Sequence, residues 1–152
     1  MALVQRDYIL RLVEAVAAAI ARIIRRRQSG DLVGARQEVH NATLELLGPT
    51  SAMALMVDSR TAANLVSDAK RIVLWCKLLS QDSEILREMG RVTDAAAVDK
   101  RIVELMLESW ARESVWDDDA RALLLAARSR GGSDHLDAAH RAALAEWDGM
   151  QV

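Results

Sequence analysis

The chain reads as all-α, a set of antiparallel helical hairpins, and three observations carry that reading. Pro49 is the single proline in 152 residues, and the long proline-free stretches are rich in Ala, Leu, Arg and Glu. These side chains lose little rotamer freedom in a helix. Their apolar members recur at helical period. Phe is absent and Tyr8 is the single tyrosine, which argues against a β-sandwich or barrel, whose strands draw on aromatic residues. With 51% hydrophobic and 28% charged residues, the chain can bury one substantial core, and its length suits one domain.

The first helix is expected from about Asp7 to Gln28. Ile9, Leu12, Val13, Val16, Ile20, Ile23 and Ile24 form its inward stripe, with Arg11, Glu14, Ala18, Arg22, Arg25 and Arg26 facing away. Ser29-Gly30-Asp31 breaks it, and a second helix runs from about Leu32 to Leu47, its antiparallel neighbour. Gly48-Pro49-Thr50 stops that helix, and residues 48–67 read as an irregular helical insertion with Asp58-Ser59 as a cap. A long helix from about Asp68 to Met89 is apolar on two sides. Ile72, Trp75, Cys76, Leu79 and Leu86 lie on one, and Leu74, Leu78 and Ile85 on the other, a pattern that places it in the core. Another two-sided helix spans about Thr93 to Glu113. Ser114, followed by Asp117, resembles a capping box for a helix over Trp116 to Ser129. Ser133-Asp134 reads as the cap of a last helix to about Trp147, with Leu136, His140, Ala143, Leu144 and Trp147 inward.

Two joints share a spacing. Gly30, Leu32 and Ala35 in the first match Gly90, Val92 and Ala95 in the second, which resembles the centre of a tetratricopeptide repeat. The joints lie 60 residues apart, not ~34, so the pattern is one of two repeat-like hairpins, about 7–47 and 68–113. The insertion separates them, and an extra C-terminal hairpin follows at 114–148. The opening Gln5-Arg6-Asp7-Tyr8-Ile9-Leu10-Arg11, the basic end of the first helix, Ser29-Gly30-Asp31 and the Gly90 hairpin occur in this order. In them the chain resembles a small bacterial family of tetratricopeptide-repeat-like helical proteins, a domain of unknown function, over roughly residues 3–113. The resemblance implies a fold and no chemistry.

Function classes narrow mainly by exclusion. Cys76 has no partner for a disulfide, and a reducing cytoplasm suits it. The N-terminal apolar stretch is interrupted by Arg11 and Glu14 and ends in Arg25-Arg26-Arg27, unlike a signal peptide. No uncharged apolar run reaches the ~18 residues of a membrane span. His135 and His140 are five apart and do not share a helix face, and no HExxH, cysteine pair or Glu-x-x-His occurs. No catalytic residue, cofactor or metal is therefore expected. Glu104 and Glu108, flanked by Arg101 and Arg112, read as surface ion pairs. Asp117, Asp118 and Asp119 read as a first helical turn complementing the dipole.

Charge is polarised along the chain. Residues 1–30 carry six arginines against Asp7 and Glu14, whereas residues 81–119 carry eleven acidic against five basic residues. The leading reading is a non-catalytic protein-interaction module that self-associates or takes a protein partner. Its candidate contact residues are Arg22, Arg25, Arg26 and Arg27 at the basic end and Glu104, Glu108, Trp116, Asp117, Asp118 and Asp119 in the acidic stretch. Trp110 is assigned to the core. One alternative is a small-ligand binder or enzyme with a pocket between helices, drawing on Lys77, His40 or Glu88. Another is a peripheral binder of anionic lipid or nucleic acid through Arg22–Arg27, although a sequence pI near 5.9 argues against nucleic acid.

Overall fold

In the computed structural model, which describes the backbone of residues 2–151 and the side chains of residues 6–151, every regular element is helical. Gln5, at the head of the family-like opening, falls outside the described side chains. The elements are α1 (Ala2–Gln28), α2 (Leu32–Leu47), a 3-10 turn at Gly48–Thr50, α3 (Ser51–Ala54), α4 (Ser59–Val66), α5 (Ala69–Glu88), α6 (Val92–Arg112), α7 (Asp118–Ser129) and α8 (Ala138–Met150). No helix among the described residues is long and apolar enough to cross a membrane.

The α1–α2 and α5–α6 joints close with one geometry. At the first, the Asp31 amide donates to Arg26 O and the Gly30 amide to Arg27 O. At the second, the Arg91 amide donates to Leu86 O and the Gly90 amide to Arg87 O. Both patterns are Schellman closures, which need a residue at positive φ after the helix. Gly30 at 82° and Gly90 at 79° supply it without the Cβ clash another residue would meet. The shared sequence spacing thus becomes a shared turn, and each turn folds two helices back on one another.

Helix α5 is the centre, as its two-sided pattern predicts. It packs on α1, α2 and α6, burying Ile72, Leu74, Trp75, Cys76, Leu78, Ile85 and Leu86. Ion pairs fasten its rim. Arg36 of α2 donates to Asp82 at 2.8 Å, and Arg27 of α1 reaches Glu84 at 2.8 Å and Glu88 at 2.6 Å. The insertion is ordered by Arg101 of α6. Its guanidinium donates to the Ala54 and Val57 carbonyls at 2.6 and 2.9 Å and lies 5.1 Å from the Trp75 ring centroid. These bonds satisfy carbonyls that the very short α3 leaves open.

Several boundaries differ from the sequence reading. Helix α1 begins at Ala2, so Asp7 lies inside it and not in its first turn. Asp117, not Ser114, caps α7, its carboxylate accepting the Ala120 amide at 2.8 Å. Ser114 instead donates back to Trp110 O at the end of α6. The last helix is capped by Asp137, not Ser133-Asp134. A Ser or Asp two to four residues too early looks alike in sequence, and only the path of the connecting turn selects among them. Val13 and Ile24 were placed inward on α1, yet they are 39% and 38% exposed. The face that α1 turns to α2 and α5 is centred on Val16, Ala19 and Ile23, with Leu12 and Ile20 partly buried at its margins.

Gly132 marks a close backbone approach. A Cβ there would stand 2.6 Å from Asp99 O and 2.8 Å from Ala127 O, whereas one at Gly149 would meet nothing within 4 Å. Gly132→Ala should destabilise the fold by about 1–3 kcal/mol through overpacking. Gly149→Ala, inside α8, should stabilise it by about 0.5 kcal/mol. Urea unfolding of both variants reads the two signs, and a neutral Gly132→Ala would contradict the close approach.

Acid stability follows from the caps. The Asp31 carboxylate accepts the Gly34 amide and then Arg26, and Asp58 accepts the Thr61 amide; both are held below the ordinary aspartate value of 3.8. On acidification the unfolded chain therefore takes up these protons first. Their contribution is full above the ordinary aspartate range and is lost as pH falls through the depressed folded values. Asp31→Asn and Asp58→Asn keep the caps and should flatten the low-pH limb of the stability curve. A double variant with an unchanged limb would rule this out.

Candidate functional site

Three helices converge on one polar cluster. Glu104 and Glu108 stand one turn apart on α6, Ser59 and Arg60 begin α4, and Asp137 and His140 form the start of α8. The short Asp137 cap turn sets His140 inward, because the Asp137 carboxylate accepts the His140 backbone amide at 2.7 Å. His140 is 4% exposed, with Nε2 2.9 Å from Glu108 Oε2.

Glu108 was expected on the surface, and this is corrected: it is buried, as are its neighbours Leu107 and Ser109. It accepts from Arg112 at 3.1 Å and Arg60 at 3.4 Å as well as facing His140. Burial pushes its carboxyl up, but the His140, Arg112 and Arg60 bonds outweigh burial and hold it below the usual carboxylate range. An ionised Glu108 can only accept, so Nε2 of His140 is the donor in this contact. Arg101 makes no ion pair with Glu104 within 4 Å. It is engaged on the insertion carbonyls, and Glu104 accepts from Ser59 at 2.9 Å.

The other ring nitrogen of His140 is buried without a hydrogen-bond partner. It lies 3.0 Å from Asp137 Oδ1 and 3.8 Å from Glu104 Oε2. Donor atoms of Glu104, Asp137 and His140 all lie within 4.8 Å of one another. Sequence reasoning singled out Glu104 and Glu108 but not Asp137 or His140 as their partners, since that pairing depends on α8 crossing α6.

The remaining candidates are scattered. Arg22 and Arg26 pair with Glu38, and Arg26 also with Asp31. Arg27 is taken by Glu84 and Glu88. Arg25 is exposed with no carboxylate within 4 Å among the described residues. Asp117 is the α7 cap, and Asp118 and Asp119 fill its first turn. Trp116 is half-buried, its indole N–H donating to Ser109 at 3.2 Å. Its ring centroid lies 4.9 Å from that of Trp110 and 5.7 Å from that of Trp147.

Lys77, His40 and Glu88 do not converge. Lys77 lines a groove of about 290 Å³ with Ile9, Val13, Val73, Leu74 and Trp116. His40 borders a different groove beside Arg36 and Asp82, and Glu88 pairs with Arg27. Comparison of the chain with protein-family models, curated proteins and solved structures finds no match.

Cys76 is fully buried, and burial raises its thiol far above the ordinary cysteine value. A thiol so placed is not a nucleophile. The native chain should leave an aromatic disulfide reagent unreacted, and reaction should appear with unfolding in urea. Rapid native-state labelling would contradict the inert assignment.

Proposed function

We propose that the chain is a non-catalytic protein-interaction module that self-associates through an exposed apolar flank of α1. The observation that carries this is an apolar stripe of Leu10, Val13, Ala17, Ile20 and Ile24, spaced alternately three and four residues apart. Leu10, Val13 and Ile24 on it are 50%, 39% and 38% exposed, and Ile20, partly buried against the core, anchors the stripe at its inner edge. Three–four spacing is the seam of paired helices. Exposed Ala17, Ala18 and Ala21 leave room for another helix to approach closely. The groove of Ile9, Val13, Val73 and Trp116 continues the apolar surface on one flank.

A second copy is the occupant that fits. Opposite the core α1 exposes Asp7, Arg11, Glu14 and Arg25, so the apolar stripe is a flank beside that polar face, and a flank of this kind is covered when another helix lies along it. Two such stripes related by a two-fold axis complement each other with no further design. Charge-led docking between the basic end and the acidic stretch has less support, since Arg22, Arg26 and Arg27 already hold carboxylates of their own chain. The same reading takes α1–α2 and α5–α6 as tetratricopeptide-type hairpins, supported by their common turn. It also places the chain in the cytoplasm, where its lone buried thiol stays reduced.

Light scattering at low and high salt tests the proposal. The expected species is a dimer that persists in high salt, because apolar burial is not screened. Val13→Glu with Ala17→Glu alters two exposed residues and should give a folded monomer with an unchanged circular-dichroism spectrum and a lower melting temperature, since the partner no longer stabilises it. A native chain that stays monomeric across the concentration range would sink self-association and turn the stripe over to a foreign partner.

A further inference from the structure

We infer that Glu104, Asp137 and His140 bind a divalent first-row transition metal ion, Zn²⁺ foremost, which fastens α8 to α6. The inference starts from the unpartnered nitrogen. Burying a polar atom without a hydrogen bond is costly, and Nδ1 of the 4% exposed His140 is such an atom. What it faces is not a donor. Asp137 Oδ1 and Glu104 Oε2 lie 3.0 and 3.8 Å away, and both are acceptors. In the neutral ring with its proton on Nε2, a lone pair on Nδ1 and two carboxylates converge, and a cation between them relieves their repulsion.

The far side of the ring is arranged as metal-bound histidines commonly are. Such a histidine donates its other N–H to a carboxylate, which fixes the tautomer and raises the basicity of the ligating nitrogen. Here Nε2 lies 2.9 Å from Glu108, and Arg112 and Arg60 hold Glu108 in turn. The two arginines are thereby occupied on the outer carboxylate. Among the described residues neither Glu104 nor Asp137 receives an arginine hydrogen bond; Glu104 accepts from Ser59 through Oε1, leaving Oε2 directed at the ring. Arg101, the other cation beside Glu104, is spent on the Ala54 and Val57 carbonyls.

The donor set selects the ion. One imidazole nitrogen with two carboxylate oxygens suits Zn²⁺ and its first-row neighbours better than Mg²⁺ or Ca²⁺, which prefer oxygen alone. Ligands on a tetrahedral Zn²⁺ at about 2.0 Å stand about 3.3 Å apart. The 4.8 Å spread of the donors closes to this by rotation of the half-buried Glu104 and exposed Asp137 side chains. Three protein ligands leave a fourth position for water. Because Glu104 belongs to α6 and the other two to α8, the ion is a staple between helices distant in sequence.

The experiment is calorimetric titration of Zn²⁺ into chelator-treated chain, with thermal unfolding followed in parallel. One ion per chain and a raised melting temperature are expected. Asp137→Ser keeps a good helix cap and Glu104→Gln is close in shape. Each should cut Zn²⁺ affinity at least about tenfold and abolish the rise in melting temperature, with an unchanged circular-dichroism spectrum. Zn²⁺ binding that survives in both variants would assign the ion to His40 or His135 and overturn the site. So would a native chain that binds neither Zn²⁺, Mn²⁺ nor Ni²⁺. In that case nitrogen NMR showing protons on both His140 ring nitrogens would identify an ion-paired imidazolium in its place.

Discussion

Asp99 is the constraint on which the placement of the C-terminal hairpin depends. Its side chain has no exposed surface, and it accepts from Ser83 at 2.6 Å, Arg87 at 2.7 Å and Arg130 at 2.8 Å. A buried carboxylate costs several kcal/mol of desolvation, which ion pairing offsets only when the geometry is good and the lone pairs are filled. Here both oxygens are engaged. Arg87 also donates to the Arg130 carbonyl at 3.3 Å, so it holds the end of α7 and the carboxylate together. With Gly132 lying against the Asp99 carbonyl, the turn between α7 and α8 has one place to sit.

Asp99 is the first of three polar positions along α6, and each receives a group from the C-terminal segment. Arg130 comes to Asp99, His140 to Glu108, and the Trp116 indole to Ser109. The apolar residues between them, Ile102, Val103, Leu105, Met106 and Leu107, are buried and supply most of the driving force. Apolar burial is non-directional, however, and would tolerate α7 and α8 sliding along α6. Hydrogen bonds at two heights, Asp99 and the adjacent pair Glu108 and Ser109 more than two turns on, fix the register. The same contacts create the Glu104–Asp137–His140 cluster, because α8 must cross α6 at the Glu108 turn for His140 to enter.

The helices were legible in the sequence, and the contacts between distant ones were not. Periodicity located the core helices α5 and α6, since a pattern apolar on two sides has one structural meaning. Glycine spacing located the two Schellman joints, since positive φ excludes most other residues. The caps of α7 and α8 were misplaced because Ser114, Asp117, Ser133, Asp134 and Asp137 are all competent caps. Glu108 was misread for a related reason. An acidic residue four before an arginine looks like a surface pair, and its burial depends on a histidine 32 residues away. The stripe of α1 failed in the opposite direction. Val13 and Ile24 satisfy the helical period of the inward face, but α1 has neighbours on too narrow an arc to cover them.

That narrow arc explains why the apolar surplus of α1 takes the form it does. The helix packs on α2 and α5, and Val16, Ala19 and Ile23 fill that contact. Leu10, Val13, Ala17 and Ile24 lie about one residue round the helix from this seam, about 100° on, and are exposed, whereas Ile20 between the two sets is partly buried against the core. A helix with two adjacent apolar seams is built for neighbours on both sides. In a longer hairpin array the second seam would meet the next repeat, and the array would grow in one direction. When the second seam meets its own copy across a two-fold axis, both seams are consumed and growth stops at two chains. Under the proposed self-association, an exposed apolar flank of this kind favours a closed pair, because the contact that hides it leaves no equivalent flank exposed.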